Sequence, residues 1–201
     1  MLDSLNRSIT RVKWADSHDA VGQFLGAGGL YYGLIYALAA RRCVCLGSGG
    51  GFVPMMMVAA QRQLVADGVL RAVDVTLVDG NVGPWGRPDY DLGGISRYPE
   101  IKIVVSLTHD AADQFADIDY LHVDADHSYE GALADFQDYG SRMRGNHWVI
   151  TVHDTCNAYK GLPVIGAYRA AREWATANGH EMVTFDIGEG VSVIAPRKGF
   201  S

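Results

Sequence analysis

Residues 43–61 read CVCLGSGGGFVPMMMVAAQ. Four apolar residues, Cys43–Leu46, run into Gly47, Ser48, Gly49, Gly50 and Gly51, and a longer apolar stretch follows. The first run has the length and character of a buried strand. The glycines let the backbone turn sharply and let a ligand approach the amides directly. Pro54 suits the first turn of a helix, which the pattern extends over Val53–Ala66. Strand, Gly-rich turn and helix in that order point to a Rossmann-like unit. A dinucleotide fingerprint needs glycine where Phe52 stands, which weakens a nicotinamide cofactor. On spacing alone, a plain tight turn is the competing reading.

The alternation continues outward. Further apolar runs lie at Val73–Val78, Ile103–Leu107, Tyr120–Val123, Trp148–Val152, Met182–Phe185 and Val191–Ala195, and several are apolar on both faces, as parallel strands covered by helices are. Helices are expected over Leu30–Ala40, Asp110–Phe115, Tyr129–Met143 and Val164–Asn178. In the third, Ala132, Leu133, Phe136, Tyr139 and Met143 recur at three- and four-residue steps. Residues 182–196, MVTFDIGEGVSVIAP, leave no room for a crossover helix, so a hairpin joins the last two strands. The expected fold is α/β, a doubly wound, seven-stranded, mostly parallel sheet closed by an antiparallel C-terminal hairpin. No linker or repeat divides the chain: residues 1–201 read as one domain, with 1–28 an N-terminal extension and 29–196 the core.

Composition narrows the function. Of 201 residues, 48% are hydrophobic and 20% charged, which excludes collagen-like, coiled-coil and disordered chains. Lys and Arg number 17 against 23 Asp and Glu, so the net charge is 17 − 23 = −6 with no basic run, and no nucleic-acid partner is expected. Residues 20–40 carry no charge, but five glycines and a Gln interrupt them, so a buried helix is expected rather than a membrane span. Three cysteines, with Cys43 and Cys45 two apart in a strand, read as reduced thiols of a cytoplasmic protein. The start, MLDSLNRSITRVKW, has no apolar core of a secretory signal.

In such sheets, ligands bind beyond the carboxyl ends of the strands. Asp79 ends VDVTLVDGN, 79 − 47 = 32 residues past the loop, where an acid can hold ribose hydroxyls; a solvated turn acid is the alternative. Asp110, after KIVVSL, can cap a helix or bond an adenine amino group. IDYLHVDADHSYEGALADF (118–136) and HWVITVHDTCN (147–157) place Asp124, Asp126 and His127 after one strand and His153 and Asp154 after the next. The interval, 154 − 124 = 30, is one helix plus one strand. Carboxylates and imidazoles converging on one edge suit a divalent cation with open positions. Alternatively, Asp126 or Ser128 merely caps the following helix.

The phrase VDADHSYEGALADF, the later HDT and the helix segment GGLYYGLIYALA carry a family resemblance, with element order agreeing from about Gly29 to Pro196. The chain resembles class I S-adenosylmethionine-dependent methyltransferases, in the branch of macrocin-type sugar O-methyltransferases and cephalosporin hydroxylase-like proteins. VDADH is also similar to the metal-dependent catechol and caffeoyl-coenzyme A O-methyltransferases. The resemblance implies that Gly47, Ser48 and Gly49 wrap the methionine part of the cofactor, that Asp79 binds its ribose and Asp110 lies near adenine. It puts Asp124, His153 and Asp154 at the metal positions, magnesium or manganese, with Asp124 also facing the cofactor. His127, beside Asp124 and Asp126 in the catalytic group, stands where catechol-type enzymes carry a lysine base. Departures are Cys45 where the family often has an acid, His153 in place of a carboxylate or amide, and residues 80–100, rich in Gly and Pro where a helix is usual. The implied activity is metal-assisted O-methylation of a small-molecule acceptor (a sugar, catechol-like compound or natural product), with no membrane partner and homodimerisation left open. VDAD also resembles the DxD metal motif of glycosyltransferases, against which the Gly loop and late hairpin argue. A catalytically idle cofactor-binding relative is the third reading.

Overall fold

The computed structural model describes residues 15–48, 50–80, 95–156 and 166–197. Its strands are β1 (Cys43–Leu46), β2 (Val75–Asp79), β3 (Ile101–Val105), β4 (Tyr120–Val123), β5 (Val149–His153), β6 (His180–Phe185) and β7 (Val191–Pro196). They form one seven-stranded sheet in the order β3-β2-β1-β4-β5-β7-β6. The first five pair in parallel, and β7 runs antiparallel to both β5 and β6, as the hairpin reading requires. Strand order reverses between β1 and β4, which makes the gap beyond their carboxyl ends the switch-point crevice.

Among the described residues, five α-helices cover the sheet: α1 (Ala27–Leu38), α2 (Phe52–Ala66), a single turn α3 (Thr108–Ala111), α4 (Tyr129–Gly140) and α5 (Gly166–Ala177). One apolar cluster gathers Tyr31 and Ile35 of α1, the Met55–Val58 run of α2 and the alternate strand residues Cys43, Cys45, Val75 and Leu77. A second gathers Phe136 and Tyr139 of α4, Ala170 and Ala171 of α5, and Val44, Leu46, Leu121 and Val123. Successive strand residues thus serve opposite faces, which is why these runs are apolar throughout. Cys43, Cys45 and Cys156 are free thiols. Among the described residues, no helix is long and apolar enough to cross a membrane.

Most boundaries differ from expectation by one to four residues, and three of the differences are instructive. Helix α4 stops at Gly140, where a Cβ would collide with the Trp174 ring, so Met143 leaves the helix and bridges to Ile118. β3 begins at Ile101 rather than Ile103, which moves Leu107 out of the strand to stand before α3. It is also an edge strand: Val105 is 71% exposed, so its apolar run does not mean cover on both faces. The third difference is at α1, which spans Ala27–Leu38 and ends on Ala39 in the left-handed conformation.

Candidate active site

The loop after β1 turns immediately. Gly47 has φ +69°, its amide donates to Val78 O of β2 at 2.9 Å, and a Cβ there would collide with the Asp124 carbonyl oxygen. Only glycine combines that conformation with that approach. Ser48 is buried, and its Oγ has no hydrogen-bond partner among the described residues. A buried hydroxyl without a partner, beside a left-handed glycine, fits a loop that holds a polar ligand. Gly51, also left-handed at φ +84°, precedes α2. Gly49 lies outside the described residues, as do residues 81–94 with Trp85 and Tyr90, and 157–165 with Tyr159. Tyr98 and Trp148 are buried in the core, and Trp174 stacks on Phe136.

Asp79 closes β2 on the same edge, half-buried, and its carbonyl accepts from Ser106 N at 3.2 Å. Asp110 is exposed within α3, its Oδ1 3.4 Å from His109 Nε2; Leu107 holds the N-cap position, so Asp110 is not the cap. Asp126 is exposed and turned toward α4: its Oδ1 accepts from Ser128 N at 2.9 Å, while Ser128 caps the helix by accepting from Gly131 N at 3.0 Å. Asp126 therefore stands apart from the other polar groups.

Those groups converge. β4 and β5 are neighbours in register, so Asp124 and the pair His153–Asp154 leave the sheet side by side. His153 Nδ1 lies 3.3 Å from Asp124 Oδ1 and 3.2 Å from Asp154 Oδ1. His127 bridges the same two carboxylates, Nδ1 to Asp154 Oδ2 at 2.8 Å and Nε2 to Asp124 Oδ1 at 3.3 Å. Asp154 has φ +55°, a conformation a non-glycine residue adopts at a cost. Burial pushes the His127 and His153 imidazoliums down, but the Asp124 and Asp154 carboxylates outweigh it and raise them to about 11 and about 10. In return, burial would raise Asp124 and Asp154, yet their imidazole partners hold both well below the usual carboxylate range. Two carboxylates are thus balanced by two imidazoliums at neutral pH. One donor atom each of Asp124, His127 and Asp154 lies within 4.8 Å of the others, and so do those of His18, Asp124 and His153, two overlapping sets that could receive a metal ion. Asp154 Oδ1 is buried and, among the described residues, accepts no hydrogen bond beyond its 3.2 Å ion pair with His153 Nδ1, so the donor set fits a small cation.

Sequence reading missed four members of this cluster. His18, from the turn Ala15–His18, packs its ring 4.0 Å from that of His153. His122 lies beneath Asp124, its Nε2 3.9 Å from Oδ2; two residues apart, one in β4 and one just past its end, the pair share a face, a spacing legible in advance. Glu189, in the β6–β7 turn, hydrogen-bonds Asp154, which raises its carboxyl to about 7. Thr155, next to Asp154, is buried with no partner for its hydroxyl among the described residues. His18 and Glu189 lie too far along the chain for any spacing rule to attach them.

A doubly wound sheet in this order, with a Gly-rich switch-point loop and polar strand ends, defines the architecture of class I methyltransferases. A family described as methyltransferase domain matches residues 44–155. The chain belongs to that family and is a methyltransferase. No curated protein matches its sequence. Solved structures match its fold. A Podospora anserina methyltransferase bound to S-adenosylhomocysteine is 12% identical, with 98% of this chain and 88% of that one covered and a TM-score of 0.63. The Streptomyces achromogenes O-methyltransferase involved in tomaymycin synthesis, in complex with S-adenosylmethionine, is 13% identical over 98% and 90%, TM-score 0.64. A Bacillus cereus O-methyltransferase in complex with S-adenosylhomocysteine is 14% identical over 96% and 91%, TM-score 0.59.

Proposed function

We propose that this methyltransferase takes S-adenosylmethionine on the Gly47–Gly51 loop and transfers its methyl group to a hydroxyl of a small molecule, aided by a divalent cation. The observation that carries the reading is the convergence of Asp124, His127, His153 and Asp154 on the edge that the Gly47 loop also occupies, with Gly47 packed on the Asp124 carbonyl. The family and the cofactors named for the similar structures support the choice of cofactor.

The cofactor would supply an electrophilic methyl group, and Asp124, His153 and Asp154 would hold a divalent cation, magnesium or manganese, whose chemistry would be to lower the pKa of an acceptor hydroxyl. The protein's share is orientation and proton handling. Asp79 offers its carboxylate to the ribose, and Asp110 stands at the adenine end of the edge. Ser48 supplies an unpartnered hydroxyl to the methionine part. His127 is the candidate base, half-exposed and so able to face an acceptor. With both ring nitrogens on carboxylates it is held protonated, and a cation on Asp124 and Asp154 would weaken that hold and free the ring to accept a proton. The cation and the base are therefore coupled on this chain.

Calorimetry with S-adenosylhomocysteine, followed by methyl-transfer assays across polyhydroxylated acceptors with and without chelator, tests the reading. Binding, plus turnover lost in chelator and restored by manganese or magnesium, is expected. Binding with full turnover in excess chelator would leave the cluster structural. Tight binding of a nucleotide sugar in place of the cofactor would favour glycosyl transfer.

A further inference from the structure

The turn Ala15–His18 has no place in the scheme above, yet it is fastened into the site from three directions. Asp19 Oδ2 accepts from Gly188 N at 2.6 Å. The Ser17 carbonyl accepts from Glu189 N at 3.0 Å and lies 3.3 Å from His153 Nε2. The His18 ring is enclosed between Phe52, stacked at 4.8 Å, and His153 at 4.0 Å. It is 2% exposed, as buried as the core around it.

The two imidazoles are held in the same manner. His153 has Nε2 on the Ser17 carbonyl, which leaves Nδ1 toward Asp124. His18 has Nδ1 on the Tyr31 hydroxyl at 3.2 Å, which leaves Nε2 as its other nitrogen. An outer oxygen on one ring nitrogen, fixing the ring so that the other meets a cation, is the usual support of metal-binding histidines. A donor atom each of His18, His153 and Asp124 lies within 4.8 Å of the others. Packing alone would account for a stacked ring, but not for two imidazoles and a carboxylate gathered where the sheet could bury apolar side chains instead.

We propose that His18 is a ligand of the cation, completing with His153 and Asp124 a buried two-histidine, one-carboxylate seat that selects a transition metal over magnesium. The inference rests on the reading that Asp124 and His153 hold a cation. Magnesium favours oxygen ligands and water, whereas imidazole suits iron, cobalt, nickel and zinc. Two nitrogen donors move the preference toward those metals. They also make the N-terminal turn part of the site, since displacing it removes a ligand.

Calorimetric titration of the metal-free protein with Co²⁺ and with Mg²⁺, without cofactor or acceptor, tests this directly. Wild type should bind Co²⁺ at least tenfold more tightly than Mg²⁺. His18→Phe, which keeps the stack on Phe52, should weaken Co²⁺ by roughly tenfold or more while leaving Mg²⁺ nearly unchanged. If His18→Phe fails to fold, the wild-type Co²⁺ protein still decides: a paramagnetically shifted imidazole N–H resonance with an Overhauser effect to the Tyr31 ring is expected. Equal affinity for both metals, unchanged Co²⁺ binding in the folded variant, or no such resonance would overturn the inference. If wild type binds neither metal, the metal part of the proposed function falls with it; if only His18 proves indifferent, that function stands.

Discussion

The functional edge has two unlike halves. Around β1, β2 and β3 it is made of backbone and carboxylates that water can reach: left-handed Gly47, half-buried Asp79, exposed Asp110. Around β4 and β5 it is a closed charge cluster in which Asp124 meets His127 and His153, and Asp154 meets both as well. The first half is shaped to receive a ligand and spends little stability on its polar groups. The second half is held together by those groups. Substitutions should therefore separate: on the cluster side they reach folding, on the loop side they reach affinity.

The largest effect is expected at Asp124. Its side chain is 10% exposed and faces His122, His127 and His153, so Asp124→Asn leaves imidazoliums without their counter-charge. Removing one partner of a buried ion pair costs about 3–5 kcal/mol. The sign follows from two directions. Asp124 titrates below its ordinary 3.8, so its contribution is present above that value and lost as pH falls through the folded value. His153 titrates at about 10 against 6.5 when unfolded, so its contribution is full below 6.5 and lost as pH rises toward 10. In metal-free protein, the difference in unfolding free energy between wild type and variant should be widest between about pH 4 and 6.5 and shrink on both sides. A gap independent of pH would mean that Asp124 matters through packing alone.

On the loop side, Asp79→Ala should weaken S-adenosylhomocysteine by about 2 kcal/mol, as loss of a charged hydrogen-bond acceptor does, and lower stability by less than that. Titration calorimetry beside thermal unfolding separates the two effects. Gly47→Ala sits on the seam and should lower both, since its Cβ would press on the Asp124 carbonyl and its φ would be strained. If Asp79→Ala destabilises the fold as much as it weakens binding, the contrast between the halves fails.

The two halves also differ in how much the sequence revealed. Strand ends announce themselves: the Gly47–Gly51 run, Asp79, and the acids after Tyr120–Val123 and before Thr155 stood out because a change from apolar to polar marks where a buried strand emerges. Parallel register then brought Asp124 beside His153 and Asp154 without further assumption. What lay hidden depends on long-range packing. His18 reaches the cluster only because the turn Ala15–His18 lies against the Gly188–Glu189 hairpin, contacts more than 130 residues apart along the chain. Asp126 misled for the opposite reason: it belongs to the same VDAD phrase, but it lies past the end of β4, where the chain has already turned toward the helix start and its carboxylate accepts from Ser128 N.

The smallest effect expected lies where the halves are joined. Helix α4 follows β4 on the cluster side, yet Tyr139 donates to the Thr108 carbonyl at 2.8 Å, at the start of α3 on the loop side. One turn earlier Asp135 is 2% exposed, with Oδ2 unpartnered among the described residues. Burial raises its carboxyl to about 6, against a hydrogen bond from Thr108 that acts in the other direction. An acid whose folded pKa lies above its unfolded one binds more protons when folded, so stability falls as pH rises from 3.8 to about 6 and the full cost is present above that. Asp135→Asn keeps the size and removes the charge. It should raise stability by about 1 kcal/mol at pH 8 and change little at pH 4, measured by urea unfolding at the two values. Should the variant instead lose stability at pH 8, the charge on Asp135 would be holding α4 to Thr108, and the seam between the halves would be ionic like the cluster itself. Should it gain as expected, the seam is tied by Tyr139 and the Thr108 hydroxyl, and the two halves stay electrostatically separate.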